Sequence, residues 1–316
     1  NPVATSWDFK SDDPEWIVRE SVQNHLELLE LTAMSPASLP ERVDEARTPR
    51  HAALSLVGEP VLYPQAAEYI AALHRRRIST FLVTNGQFPE QLAEMPWVTQ
   101  LYVSLDAPDA EALREVGRPL FKDYWERLRS SLVVLREKRP QQRTVCRLTM
   151  LKGENMEDAA CDGYAELISL SECDFVEIKG ATFAPVWDKK SSGLSYGSIP
   201  SHEDVRGFGE QLAERLPLHE LACEHEHSSC VLLARRDRFF EPWGCWHTWI
   251  DFDRFADVAI EGRSLDAPDF AVRTPQWALA GSEDHRGLGG CGFDPGEERQ
   301  FHRATAADLM EMEGRQ

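Results

Sequence analysis

Phe175-Val176-Glu177-Ile178-Lys179-Gly180 is an apolar run that carries charge at alternate positions. Four other short runs share the pattern of an apolar stretch that ends in, or carries, polar groups. They are Ala53-Leu54-Ser55-Leu56-Val57-Gly58-Glu59-Pro60, Phe81-Leu82-Val83-Thr84-Asn85-Gly86, Leu101-Tyr102-Val103-Ser104-Leu105-Asp106 and Val145-Cys146-Arg147-Leu148-Thr149-Met150. A strand buried in a parallel sheet reads as a nearly continuous apolar run. Polar groups gathered at the carboxyl ends of such strands mark the ligand face of α/β barrels and open α/β sheets. The pattern predicts an α/β fold with a single mouth.

The intervening stretches have helical spacing. Strands are expected over 51–57, 78–84, 99–106, 144–150, 174–179, 218–223 and 230–234. Helices are expected over 14–31, 64–77, 89–94, 122–138, 155–170 and 202–216. Ser11, Asp12 or Asp13 can cap the first helix, with Pro14 in its first turn. The proline-bearing stretch 34–49 reads as a loop, and 184–200 as a long functional loop or lid. Alternating strands and helices imply parallel pairing through right-handed crossovers. About six βα units fall short of a full eight-unit barrel, so the expected result is a partial barrel with an open side. Residues 1–200 form the barrel in this reading, 201–265 complete it, and 266–316 make an irregular tail.

The chain has 316 residues and a formal net charge of −19. That charge argues against non-specific nucleic-acid binding, which depends on phosphate neutralisation. Arg75-Arg76-Arg77, Lys189-Lys190 and Arg235-Arg236 with Arg238 are local exceptions, either solvated element ends or a phosphate track. Seven cysteines with no CxxC pair do not make a secreted disulfide framework. No run has the length of a membrane span and no signal pattern opens the chain, so a soluble, reducing, cytoplasmic setting is expected. The opening Asn1-Pro2 reads as the start of an excised piece.

Side chains two apart on a strand share a face, so Ser104 with Asp106, Arg147 with Thr149, and Glu177 with Lys179 point together. Such groups either close the barrel end by pairing with one another or face a ligand. Gly58-Glu59-Pro60 supplies close backbone approach, an acceptor for an ammonium and a strand stop. Lys152 and Lys179 at strand ends suit a phosphate contact or a Schiff base. In Cys223-Glu224-His225-Glu226-His227-Ser228-Ser229-Cys230, Cys223, His225 and His227 share a face if extended. That run is either a metal site lacking the usual spacing or, as preferred, a polar rim contacting substrate. Trp243, Trp246, Trp249 and Phe252 recur every three residues, as a cover for the core or as a platform for a nucleobase.

Taken in order, these stretches resemble the radical S-adenosylmethionine tRNA 4-demethylwyosine synthases, the ring-forming enzymes of wybutosine synthesis. The likeness also rests on Arg118-Pro119-Leu120-Phe121-Lys122-Asp123, Trp246-His247-Thr248-Trp249-Ile250-Asp251 and Arg273-Thr274-Pro275-Gln276-Trp277-Ala278-Leu279. It implies a partial (βα)6 TIM-like barrel holding S-adenosyl-L-methionine and a 4Fe–4S cluster at its mouth. The implied reaction is a radical carbon–carbon lyase step. A 5′-deoxyadenosyl radical takes hydrogen from the N1-methyl of a methylguanosine in phenylalanine tRNA, and pyruvate supplies two carbons for the new ring. In the eukaryotic form an FMN-binding flavodoxin-like domain upstream, or a separate reductase, would be the electron donor.

By motif position, Gly58 and Glu59 would meet the methionine amino group. Asn85, Ser104 and Arg147 would reach its carboxylate or ribose. Lys152, Lys179 and Glu177 would be the catalytic groups, and His225 and His227 the substrate-binding ones. The family's CxxxCxxC cluster loop is expected just before Asn1, because no such triplet occurs here, and this piece alone is expected to be inactive. The alternatives are a cluster-less module that binds tRNA or S-adenosylmethionine, and a barrel lyase using Lys179 as a Schiff base.

Overall fold

The computed structural model describes residues 5–55, 58–182, 195–282 and 294. Its main sheet contains β1 (His51–Leu54), β2 (Ser79–Thr84), β3 (Gln100–Ser104), β4 (Thr144–Met150), β5 (Phe175–Gly180), β6 (His219–His225) and β7 (Cys230–Arg235). The spatial order is β1-β2-β3-β4-β5-β7-β6. The first five strands pair in parallel, as the βα alternation requires. β7 runs antiparallel between β5 and β6. The sixth forward strand therefore lies at the sheet edge, with its own hairpin partner inserted beside β5. Only a few residues join β6 to β7, too short for a crossover, so the pair forms a hairpin.

The helices are α1 (Pro14–Ala33), α2 (Pro40–Ala46), α3 (Ala66–Arg75), α4 (Pro89–Glu94), α5 (Ala110–Gly117), α6 (Tyr124–Lys138), α7 (Asp158–Ser171), α8 (His202–Ala213), α9 (Arg236–Phe239) and α10 (Phe252–Ile260). Of the three candidate caps for α1, Asp13 serves: its carboxylate accepts from the Trp16 N–H at 2.8 Å. The stretch expected to be a loop contains α2, because Pro40 occupies a first turn where a missing N–H costs nothing. α5 went unread because none of its residues is buried and its start depends on Asp109, which accepts from the Ala112 N–H at 2.9 Å.

One face of the sheet is apolar. Leu82, Leu101, Val103, Cys146, Leu148, Val176 and Ile178 are at most 1% exposed and join a core with Leu128, Leu132 and Leu135 of α6 and Tyr164, Leu167 and Ile168 of α7. Burying each large side chain contributes roughly 1.5–3 kcal/mol. The opposite face carries the alternating polar groups of β3, β4 and β5, which are half-buried.

The C-terminal part spans this open fold. β8 (Trp249–Ile250) pairs with β9 (Ala271–Val272), and α10 packs against α3 and β2. Leu279 bridges Cys223 of β6, and the Ala280 N–H donates to the Ala222 carbonyl at 3.1 Å. Gly281 N–H donates to Glu224 Oε1 at 2.6 Å, beside His202 Nε2 at 3.0 Å and Arg206 Nη1 at 3.2 Å from the same carboxylate. Burial pushes Glu224 up, but these partners outweigh it and hold its carboxyl below the usual range.

The basic clusters are neutralised locally. Arg75 and Arg76 pair with Glu15, and Arg77 pairs with Asp253 and Asp257. Arg235 pairs with Asp237, Arg236 with Glu220 and Glu241, and Arg238 with Asp174 and Asp266. Lys189-Lys190 and most of the expected long loop lie outside the described residues. Among the described residues no helix is long and apolar enough to cross a membrane.

A side chain at Gly163 of α7 would place Cβ 2.5 Å from the Pro108 carbonyl oxygen, a backbone atom that cannot swing aside. Gly163→Ala is expected to destabilise the fold by about 1–3 kcal/mol in denaturant titration. His74 is buried, hydrogen bonds to Thr80 Oγ1 at 2.9 Å, and is held down to about 4 by that burial. The unfolded chain takes up this proton at higher pH, near the ordinary histidine value of 6.5. Stability is therefore complete above that value and falls as pH drops from about 6.5 towards 4, by up to about 3 kcal/mol. His74→Asn is expected to flatten this part of the stability–pH curve.

Candidate active site at the mouth of the sheet

β1 to β6 all end at one rim, and the β6–β7 turn lies there too. Register assigns the inward side chains to rows. Ser104, Arg147, Glu177, Leu232 and Cys223 form one row. Nearer the rim, Thr149, Lys179, Cys230 and His225 form the next. The structure thus places Ser104, Arg147, Glu177, Lys179 and His225 on one face, as the period-two reading requires.

Arg147 and Glu177 face each other, with Nε 3.2 Å from Oε1 and about a quarter of each side chain exposed. Burial raises the Glu177 pKa, opposed by the Arg147 and Lys179 charges. Burial likewise raises Asp106, opposed by hydrogen bonds from Thr149, whose N–H lies 3.3 Å from Oδ1. Two carboxylates and two cations therefore share a partly dry surface in which each charge depends on the others.

Glu59 sits between β1 and β2 at the rim. Its Oε2 accepts from the Asn85 N–H at 2.9 Å, while among the described residues the buried Oε1 has no partner at hydrogen-bond geometry. Burial raises its pKa, opposed by the Asn85 backbone N–H, the Thr84 side chain and the Val61 backbone N–H. Gly58 adopts a φ of +78°, and no atom of the described residues lies within 4 Å of where a Cβ would stand. An open turn beside an unsatisfied carboxylate oxygen is suited to an ammonium group. Asn85 Oδ1 accepts from the Gln87 N–H at 3.0 Å, which fixes the side chain in a turn.

Lys152 is placed differently. Its Nζ is 2.5 Å from Asp204 Oδ2, a carboxylate that also closes the capping box of α8 with Ser201. That pairing ties the end of β4 to α8. His225 Nδ1 shares a hydrogen bond with Ser228 Oγ at 2.7 Å, and His227 lies in the following turn with its ring 6.1 Å from that of His225. Cys223 Sγ lies 3.2 Å from Thr248 Oγ1, and burial pushes its thiol up to about 11. Burial also raises Cys230. Protonated thiols make poor metal ligands, and among the described residues no group of three His, Cys, Asp or Glu is placed to hold a metal ion.

Trp246 and Phe252 serve as cover: Trp246 packs against Phe240, and Phe252 against His51 and Phe81. Trp243 stacks on His247 at 4.2 Å, and Trp249 contacts Trp277. Beneath the Arg147–Glu177 row is a cavity of about 380 Å³ bounded by Gln100, Arg143, Phe175, Glu177, Thr248 and Trp249, among others. Arg143 escaped the sequence reading because it stands in the polar run Pro140-Gln141-Gln142-Arg143, just before β4 begins. Its only signal was a cation immediately preceding a buried strand.

Two family models match the chain: Radical SAM superfamily over residues 28–160 and Wyosine base formation over 170–235. An S-adenosyl-L-methionine-dependent tRNA 4-demethylwyosine synthase of Oryza sativa subsp. japonica is 47% identical over 95% of this chain and 44% of its own length. The Homo sapiens enzyme of that name is 42% identical over 95% of this chain and 40% of its own. The chain thus spans less than half the length of these relatives. Among solved structures, archaeal TYW1 superposes with a TM-score of 0.60 at 27% identity, covering 76% of this chain and 78% of the other. A TYW1 structure with a lysine–pyruvate adduct bound gives 0.62 at 27% identity over 74% and 73%.

If Arg147 and Glu177 depend on each other, Arg147→Met and Glu177→Gln will not be additive. A double-mutant cycle in denaturant is expected to give a coupling of about 0.5–3 kcal/mol, against about zero for independent side chains.

Proposed function

The chain belongs to the tRNA 4-demethylwyosine synthase family of radical S-adenosyl-L-methionine enzymes, and from that premise we propose that its mouth binds S-adenosyl-L-methionine and presents it to a guanine base of tRNA in wybutosine synthesis. The observation that carries this reading is the buried Glu59 Oε1, which has no hydrogen-bond partner among the described residues, beside the open turn at Gly58. A methionine ammonium satisfies that oxygen, while the Asn85 N–H holds the other carboxylate oxygen in place.

Ser104 and Arg147, adjacent in register, are the proposed partners of the methionine carboxylate or ribose. Once bound, S-adenosyl-L-methionine supplies one-electron chemistry that abstracts hydrogen, in concert with a reduced iron–sulfur cluster. The described residues include no ligand set for such a cluster.

On the substrate side, Glu177, Lys179, His225 and His227 are the proposed contacts. Glu177 can hold a proton at Oε1 or Oε2, because burial disfavours its anion. Lys179 faces the same space one row nearer the rim, where a cation suits an anionic co-substrate. Pyruvate is the proposed two-carbon donor, in line with the adduct named for the solved relative. Phenylalanine tRNA is the proposed macromolecular substrate, with its base leaving the stack to reach the mouth. Lys152, held by Asp204, is better suited to fastening the β4 end than to chemistry.

Calorimetric titration with S-adenosyl-L-methionine and with its desamino analogue tests the reading. Glu59→Gln is expected to weaken the natural ligand about tenfold or more, equivalent to about 1.4 kcal/mol, and to leave the analogue unchanged. Equal affinity of wild type and Glu59→Gln for S-adenosyl-L-methionine would overturn it.

A further inference from the structure

The cavity beneath the mouth contains a charge that the proposed reaction does not use and that no carboxylate among the described residues pairs with. Arg143 is 3% exposed. Its Nε donates to Gln100 Oε1 at 2.5 Å, and its Nη2 to the Thr248 carbonyl at 2.5 Å. The guanidinium face lies over the Phe175 ring at 4.0 Å. Among the described residues no carboxylate lies within ion-pair distance of it, and Nη1 is buried with no hydrogen-bond partner. Asp174, whose charge acts on it from nearby, is already paired with Arg238 at 2.9 Å. Burial lowers the Arg143 pKa to about 10, which still leaves it charged at neutral pH.

We propose that this cavity is a binding site for a compact organic carboxylate whose oxygen accepts from Arg143 Nη1. Four observations support that class. Only one guanidinium nitrogen is free, which matches a monoanion better than a phosphate dianion. The other polar groups of the lining are already engaged: Gln100 Oε1 by Arg143 Nε, the Glu177 carboxylate by Arg147, and the Thr248 hydroxyl by Cys223 and Thr274. Phe81, Val145, Phe175, Leu232 and Phe252 make most of the rest of the lining apolar, so the ligand body is small and non-polar. Trp249, 43% exposed, stands at the edge of the cavity and leaves it open to solvent. A buried donor on a permanent cation is costly to leave unmatched, and a ligand oxygen is the acceptor the protein does not itself provide.

The site is read from Arg143 and its surroundings alone and does not depend on how Glu59 is used. Saturation-transfer NMR titration of the purified chain tests it, with acetate as the carboxylate probe and acetamide as its neutral isostere. Acetate is expected to bind at least tenfold more tightly than acetamide. Arg143→Gln should erase that preference. Leu232→Trp, which fills the cavity and leaves Arg143 in place, should abolish carboxylate binding. Circular dichroism reports whether each variant folds, and should Arg143→Gln not fold, the isostere comparison and Leu232→Trp decide. Equal binding of acetate and acetamide, or acetate binding unchanged in Leu232→Trp, overturns the proposal. Neither result bears on the affinity for S-adenosyl-L-methionine.

Discussion

Charges on a strand flanked by a packed core have only one direction in which to find partners. In β3, β4 and β5 every second side chain is committed to the helix-facing core, where Val103, Cys146, Leu148, Val176 and Ile178 are fully enclosed. The remaining positions hold Ser104, Arg147, Thr149, Glu177 and Lys179, which must satisfy one another or a ligand across a single concave surface. A slip of one residue in register would drive Arg147 and Glu177 into that core. The polar surface and the apolar core therefore enforce the same strand alignment.

The same constraint explains the edges. A partial barrel leaves its last forward strand without a partner on one side, and exposed edges invite unwanted pairing. Here the segment through Leu279 and Gly281 bonds to β6, while α10 presses on β2 and α3. Glu224 fastens that segment: a carboxylate 1% exposed gathers His202, Arg206 and the Gly281 N–H, and these partners more than offset its burial. The C-terminal segment, whose Thr248, Trp249 and Phe252 bound the lower cavity, is thereby tied to both sides of the sheet.

Much of the mouth was legible. Period two puts Ser104, Arg147, Glu177 and Lys179 on one face, whereas Glu59 stands out through the Gly58-Glu59-Pro60 turn and Asn85 as a ligand contact only through the family resemblance. The alignment of β4 with β5 then puts Arg147 opposite Glu177. Lys152 shows what such reasoning leaves out: its position after β4 suits a ligand contact, and Asp204, 52 residues downstream in the chain, pairs with it. Arg143 is the converse case. It is an unremarked residue of a polar turn, and the folding of Phe175, Gln100 and Thr248 around it makes it a buried cation.

Local chemistry decided what local chemistry can decide. The chain itself specified the α/β class, the parallel pairing of the first five strands, a polar cap before Pro14 and the polar face of the sheet, because periodicity and capping act over a few residues. Tertiary packing alone decided that β7 inserts beside β5, that the arginine clusters are spent on Glu15, Asp253 and Asp257, and that Glu59 keeps one oxygen free while Arg143 keeps one nitrogen free. Those outcomes depend on which distant groups arrive within hydrogen-bond reach and on how much water is left there, and neither quantity has a signature in the order of residues.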